Sequence, residues 1–245
     1  MNHLTLLALD TSTEACSVAL LHRGEITESY ELAQRSHTKR ILPMVEEILA
    51  QSGISLKQVD GLVFGRGPGS FTGVRVGAGI AQGLAFGASL PVIPISNLTA
   101  MAQAAYEQYG SLQVLAAIDA RMNEVYFSQL QAVFVQDQGR EYIQWQEKIT
   151  EQVASPEVVL AQLMEQEQLL QNHWSCVGTG WRAYEQFDRL WQEKIQKTDV
   201  ELPSARYMLP LALEKWHKKE MIGAAEIEPI YLRNEVTWQK LPGRE

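Results

Sequence analysis

One pattern, written twice, constrains this chain more than any other: a short apolar run, an acidic turn, and a second apolar run. Residues 4–9 lead into Asp10-Thr11-Ser12-Thr13 and then into 15–21, while residues 114–119 lead through 120–123 into 125–130. Leu9-Asp10-Thr11-Ser12 thus has a counterpart in Ile118-Asp119-Ala120-Arg121. Apolar runs of this length between turn residues read as buried strands. Arg23-Gly24 turns the first copy into a third strand over 26–31. Runs at 132–135 and 142–149, with a turn at Asp137-Gln138-Gly139, extend the second copy as a meander. Each copy is then followed by helical sequence. The expectation is a duplicated α/β protein of two subdomains, each a mixed sheet flanked by helices. Its expected boundaries are 1–100 and 101–220, with a tail, 221–245, returning to the first subdomain or packing loosely on it.

Between the two copies the spacing turns helical. Over 38–51, Ile41, Val45 and Ile48 share one stripe and Leu42, Val45 and Leu49 its neighbour. Pro43 belongs in the first turn or kinks it, and Ser52-Gly53 stops the helix. A strand at 61–64 runs into the glycine-rich loop GRGPGSFTG and a helix over about 73–87. In that helix Gly73, Gly77, Ala81 and Ala85 recur every fourth residue, as do Gly79, Gly83 and Gly87. Each glycine costs a helix interior about 1 kcal/mol, so several together call for close approach by another helix, inside the fold or from another subunit. The segment 76–106 carries no charge in 31 residues. A membrane span needs about 20 mostly apolar residues in a row, and here Gln82, Ser89, Pro91, Pro94, Ser96 and Asn97 interrupt. A buried helix, a strand at 91–95 and a second helix over 98–109 account for it. Farther on, Ser155-Pro156 starts a helix, Cys176-Val177 forms a short strand, and a helix runs through Tyr184, Phe187, Leu190 and Trp191. A last helix covers about 205–219, and 229–245 is expected to be loosely ordered.

A net charge of −8, from 21 Lys and Arg against 29 Asp and Glu, argues against a stand-alone nucleic-acid binder, which needs a basic face. RNA would have to be reached through a partner. Cys16 and Cys176 lie far apart in apolar surroundings and read as buried hydrophobes of a reducing compartment. No local cassette of the five histidines and two cysteines has metal-ligand spacing. No secretory signal is evident at the N-terminus, so a cytoplasmic protein is expected.

Asp10-Thr11-Ser12-Thr13 has two uses. Its amides and hydroxyls can surround a phosphate while Asp10 holds a hydrated metal, or Asp10 can cap its own backbone in a tight hairpin. Glu14 opposes the first use. The loop 65–73 is neither a P-loop nor a dinucleotide fingerprint, since no lysine follows its glycines and Ser70 stands where the third glycine would be. Arg75, in a helix first turn where the dipole disfavours it, should answer a carboxylate in a salt bridge, or a phosphate. His37, in the basic run 35–40, serves as a solvated helix start, because no partner acid or nucleophile accompanies it as a general base.

Taken in order, Asp10-Thr-Ser, Ser36-His37 with Leu42-Pro43, Gly67-Pro-Gly-Ser-Phe-Thr-Gly-Val-Arg75, Ile118-Asp-Ala-Arg121 with Glu124-Val-Tyr126, and Pro229-Ile-Tyr-Leu-Arg233 resemble the bacterial TsaB (YeaZ) family over nearly the whole chain. The resemblance implies an actin-like fold of two subdomains, the plan shared with sugar kinases and chaperone-type ATPases. It implies a part in making the threonylcarbamoyl modification of the tRNA adenosine next to the anticodon. There the chain would be the non-catalytic partner of a TsaD-type transferase, joined by a TsaE-type ATPase. TsaD-type relatives carry HxxxH after the equivalent of 91–95; here the segment reads Asn97-Leu98-Thr99-Ala100-Met101. An amide and a thioether are poor ligands for such a cation, so no catalytic residue and no resident metal are expected. Any nucleotide, ATP or ADP, would bind weakly at Asp10, Thr11 and Ser12, or only within the complex. The expected partner face combines Ile41, Leu42, Val45 and Leu49 with Gly73, Gly77, Ala81 and Ala85, for the TsaD-type subunit or for a second copy in a homodimer. A small-molecule kinase or ATPase of the same fold, and a peptidase, are the competing functions.

Overall fold

The computed structural model describes residues 4–33, 36–137, 139–166, 171–190 and 194–233. Leu6–Asp10 (β1), Ala15–His22 (β2), Glu25–Leu32 (β3), Gly61–Gly65 (β4) and Val92–Ile95 (β5) form one sheet in the order β3-β2-β1-β4-β5. β1 to β3 pair antiparallel, whereas β1, β4 and β5 pair parallel. Gln113–Arg121 (β6), Glu124–Asp137 (β7), Arg140–Ala154 (β8), Trp174–Val177 (β9) and Ile195–Lys197 (β10) form the second in the order β8-β7-β6-β9-β10. Its three antiparallel strands are likewise followed by parallel pairings, β6 with β9 and β9 with β10. The two sheets share one topology, so the repeat read in the sequence is a repeat of the fold.

Helices His37–Gln51 (α1) and Phe71–Ala88 (α2) cover one face of the first sheet, where Ile41, Met44, Val45, Ile48, Ala81 and Ala85 join Leu7, Leu9, Val18 and Phe64 in one core. Asn97–Tyr109 (α3) sits between the halves and packs Leu98, Met101 and Ala105 against Val114, Ala116 and Val177 of the second sheet. Pro156–Met164 (α4) covers that sheet's far side with Trp181 and Phe187. Ser155 caps α4 and Pro156 occupies its first turn, as the sequence predicts. A short helix, Gly180–Ala183 (α5), follows, and Ala205–His217 (α6) ends the helical set. Although α6 lies late in the chain, its Met208, Leu209 and Ala212 pack with Leu6, Ala8, Val63 and Ile93 of the first sheet.

Three expectations need correction. The runs 125–130 and 132–135 are one strand, because β7 absorbs the interruption as register shifts around Gln129. The helix expected through Tyr184 is α5 plus a 3-10 turn, Glu185–Leu190. Tyr184 takes an extended conformation, φ −135° and ψ 123°, with its phenol drawn to Asp119; Trp191 lies outside the described residues. The strand β10 has only Ile195 buried, too little apolar pattern to be read. Of the tail expected to be loose, residues 229–233 are tied in, with Ile230 N–H donating to the Arg66 carbonyl at 3.0 Å; 234–245 lie outside the described residues. Among the described residues no helix is long and apolar enough to cross a membrane.

Candidate functional site

The β1–β2 turn is buried by a second segment laid across it. Thr11 Oγ1 donates to the Gly73 carbonyl at 2.7 Å, and the Ser70 N–H donates to the Ser12 carbonyl at 2.7 Å. A Cβ on Gly69 would collide with Ser12, and one on Gly73 with the Thr11 carbonyl. The glycines of GPGSFTG therefore serve close backbone contact, while Ser70 caps α2 by accepting from Gly73 N–H at 3.1 Å.

Asp10, 1% exposed, is met by Asn97 at the start of α3. Asn97 Nδ2 donates to Asp10 Oδ1 at 2.9 Å and to Ser12 Oγ, and its Oδ1 accepts the Gly67 N–H at 3.0 Å. Ser12 Oγ donates to Asp10 Oδ2 at 3.0 Å. Both carboxylate oxygens are thus committed to protein donors. Burial pushes the Asp10 carboxyl up to about 6, against the pull of the Asn97 and Ser12 hydrogen bonds. Met101, the other residue of the N-x-x-x-M pair, is fully buried in the core shared with the second sheet. Nearby, Arg66 Nη2 lies 3.0 Å from Glu151 Oε2, and Ser96 Oγ also donates to Glu151, which joins the two halves.

Outside this sealed turn a cleft of about 620 Å³ opens between the halves, lined by Ser12, Thr13, Glu14 and Ser70 on one side and Asp119, Arg121 and Thr179 on the other. Asp119 Oδ1 accepts from Tyr184 OH and from the Arg121 N–H, each at 2.8 Å. Arg121 pairs with Asp119 at 3.1 Å and reaches Glu14 at 3.8 Å. Burial and the bond to Asp119 push the Tyr184 phenol up to about 12. Two acids face the cleft and both of its arginines are already engaged, Arg121 by Asp119 and Glu14 and Arg233 by Glu124, so a triphosphate meets little net attraction.

Of the three predicted phosphate residues only Ser12 lines the cleft; Asp10 and Thr11 turn into the protein. His37 does reach the cleft wall, with Nε2 buried and without a hydrogen-bond partner among the described residues. Among the described residues Arg75 meets no carboxylate. Its guanidinium lies 3.2 Å from the Phe71 ring centroid, and its Nε donates to Tyr231 OH at 2.8 Å, a ring contact that offsets the unfavourable dipole. Ile41, Val45, Leu49, Gly73, Gly77, Ala81 and Ala85 are buried against the sheet and the β1–β2 turn. Of the expected partner face, Leu42 alone is exposed. Among the described residues the open face of α2 is the other glycine stripe: Gly79, Gly83 and Gly87 have nothing within 4 Å of a would-be Cβ, and Phe86 beside them is 80% exposed.

Two sheets of one topology, each with an acidic turn at a shared cleft, define a duplicated α/β protein of the actin-like fold. The family described as TsaD: tRNA N6-adenosine threonylcarbamoyltransferase matches residues 24–240. The chain is 64% identical, over the whole of both sequences, to the tRNA threonylcarbamoyladenosine biosynthesis protein TsaB of Haemophilus influenzae. It is 48% identical to the protein of that name from Escherichia coli, covering 98% of this chain and 99% of that one. The solved structure of YeaZ from Pseudomonas aeruginosa matches with a TM-score of 0.79 at 42% identity, over 94% of this chain and all of that one. The chain belongs to the TsaB (YeaZ) family.

Proposed function

We propose that this chain acts in tRNA threonylcarbamoyladenosine biosynthesis as a non-catalytic subunit that binds and supports a TsaD-type transferase. The pathway follows from the family and its named relatives. The non-catalytic role is carried by one observation: the Asp10 carboxylate is spent on Asn97 and Ser12, while Asn97 and Met101 offer no imidazole to a metal. A carboxylate whose oxygens are both bonded inward, 1% exposed, is positioned to hold the fold and not to orient a cation or water.

A subunit without chemistry works through a surface. The exposed α2 stripe, Gly79, Gly83 and Gly87 with Phe86, lets another helix approach to backbone distance and offers one aromatic anchor. Its occupant is the TsaD-type subunit, with a second copy of this chain taking the face when that subunit is absent. A TsaE-type ATPase joins the pair in the cytoplasm, tRNA is reached through the assembled complex, and ATP or ADP is held there and not by this chain alone. Reconstitution tests the reading. Transferase, ATPase, tRNA, ATP and threonylcarbamoyl donor should give modified adenosine only when this chain is added, and the chain should co-elute with the transferase. Full modification in its absence would reject the role.

A further inference from the structure

Beyond α6 the chain doubles back along α2 and then crosses to the second half. Ile222 bridges Val92 at the edge of the first sheet. On the open side of α2, Gln82 Nε2 donates to the Ala224 carbonyl at 3.1 Å and Arg75 Nε to Tyr231 OH at 2.8 Å. The last described residue, Arg233, reaches the β6–β7 turn. Its Nε donates to Glu124 Oε2 at 3.0 Å, and its Nη2 to the Ala120 carbonyl at 3.1 Å, to the Arg121 carbonyl at 3.4 Å and to Glu124. Every acceptor belongs to that one turn.

The turn needs holding. Arg121, Met122 and Asn123 have φ of 62°, 56° and 59°, three successive left-handed residues without a glycine. Asparagine adopts this conformation readily; arginine and methionine adopt it at a cost, and three such residues in a row persist only where their surroundings hold them. Asp119, accepting the Arg121 N–H, and the Arg233 fork impose it here. In this conformation Arg121 spans the cleft mouth from Asp119 to Glu14.

We propose that residues 222–233 are a strap coupling the exposed face of α2 to the cleft, with Arg233 as the positioning residue that latches the β6–β7 turn and keeps Arg121 across the cleft mouth. The coupling rests on the partner face proposed above. An occupant of that face seats beside Gln82 and Arg75, two of the side chains that hold the strap, and so biases the turn between latched and released states.

Hydrogen exchange read by mass spectrometry over residues 120–124 tests both parts. In the isolated chain, Arg233→Ala should speed exchange there by about tenfold or more while exchange in β1 and β4 stays unchanged. Arg233→Lys, which keeps the charge but loses the planar fork, should do the same. Adding the TsaD-type subunit should change exchange in the turn of the parent protein. It should change that turn less in Tyr231→Phe, which loses only the hydroxyl that Arg75 bonds. Parent-like exchange in both Arg233 variants would overturn the latch. An equal partner effect in the parent and in Tyr231→Phe would overturn the coupling. Failure of the parent to bind the subunit would remove the docking face and the coupling with it, and the isolated-chain comparison would still decide the latch.

Discussion

The Asn97 amide bonds Asp10 across 87 positions of sequence, with Nδ2 at 2.9 Å from Oδ1, while its own oxygen accepts the Gly67 N–H at 3.0 Å. One side chain thereby ties the β1–β2 turn, the loop after β4 and the start of α3. Removing it leaves a buried carboxylate and a buried N–H short of partners, a loss worth about 2–4 kcal/mol. Asn97→Ala is therefore expected to lower the denaturation midpoint without changing its cooperativity. Asn97→Asp should be worse, since it sets a second carboxylate against Asp10. Chemical denaturation at pH 7.5 measures both.

The same burial makes stability depend on pH in an unusual direction. The Asp10 carboxyl is raised from 3.8 to about 6 by burial, so between those values the folded protein holds a proton that the unfolded chain releases. Its contribution is complete below the unfolded value and is lost as pH rises through about 6. The two-unit shift corresponds to about 3 kcal/mol at most. Asp10→Asn keeps an acceptor for Asn97 and cannot ionise. The stability difference, variant minus parent, should be near zero at pH 4 and grow in the variant's favour up to about pH 6.5, then level off. A difference that is flat across this range would show that Asp10 is not buried as a titrating acid.

Nucleotide should bind the isolated chain weakly. Glu14 and Asp119 share the cleft with Arg121, which both already engage, and with Arg233, which Glu124 holds, and among the described residues no lysine lines it. Calorimetry with magnesium ATP is expected to give a Kd near millimolar or weaker. Tight binding, with hydrolysis abolished by Asp10→Ala, would instead place this chain among the ATPases of its fold.

The sequence made the sheets readable because β1, β2, β6 and the first part of β7 are short apolar runs ended by turn residues, a purely local signal. β10 was unreadable, since a single buried residue in three leaves no period to detect. At the site, the Asp10 turn stood out, but what surrounds it did not. Asn97 and Arg233 find their partners 87 and 109 positions away, and nothing in a polar residue's own neighbourhood says whom it will meet. The helix α2 shows the limit best. Spacing alone gives Gly73, Gly77, Ala81 and Ala85 the same rank as Gly79, Gly83 and Gly87; only the placement of the β1–β2 turn against the first stripe decides which one faces solvent.

That distinction gives the sharpest test of the partner face. A Cβ on Gly77 would lie 2.9 Å from Thr11 Oγ1, so Gly77→Leu drives a side chain into the buried turn and should cost about 1–3 kcal/mol or more. Gly83 has nothing within 4 Å; Gly83→Leu replaces a poor helix former with a good one and should stabilise the isolated chain by up to about 1 kcal/mol. On a helix that receives another at backbone distance, however, leucine holds the partner away, a loss of about 2 kcal/mol or more at the centre of an interface. The two variants should therefore separate folding from binding in opposite senses. Gly77→Leu melts early, while Gly83→Leu melts at or above the parent temperature but no longer co-elutes with the transferase and no longer supports tRNA modification. Thermal melts and size exclusion with light scattering read both properties. A stable Gly83→Leu that still binds as tightly as the parent would move the interface off this face of α2.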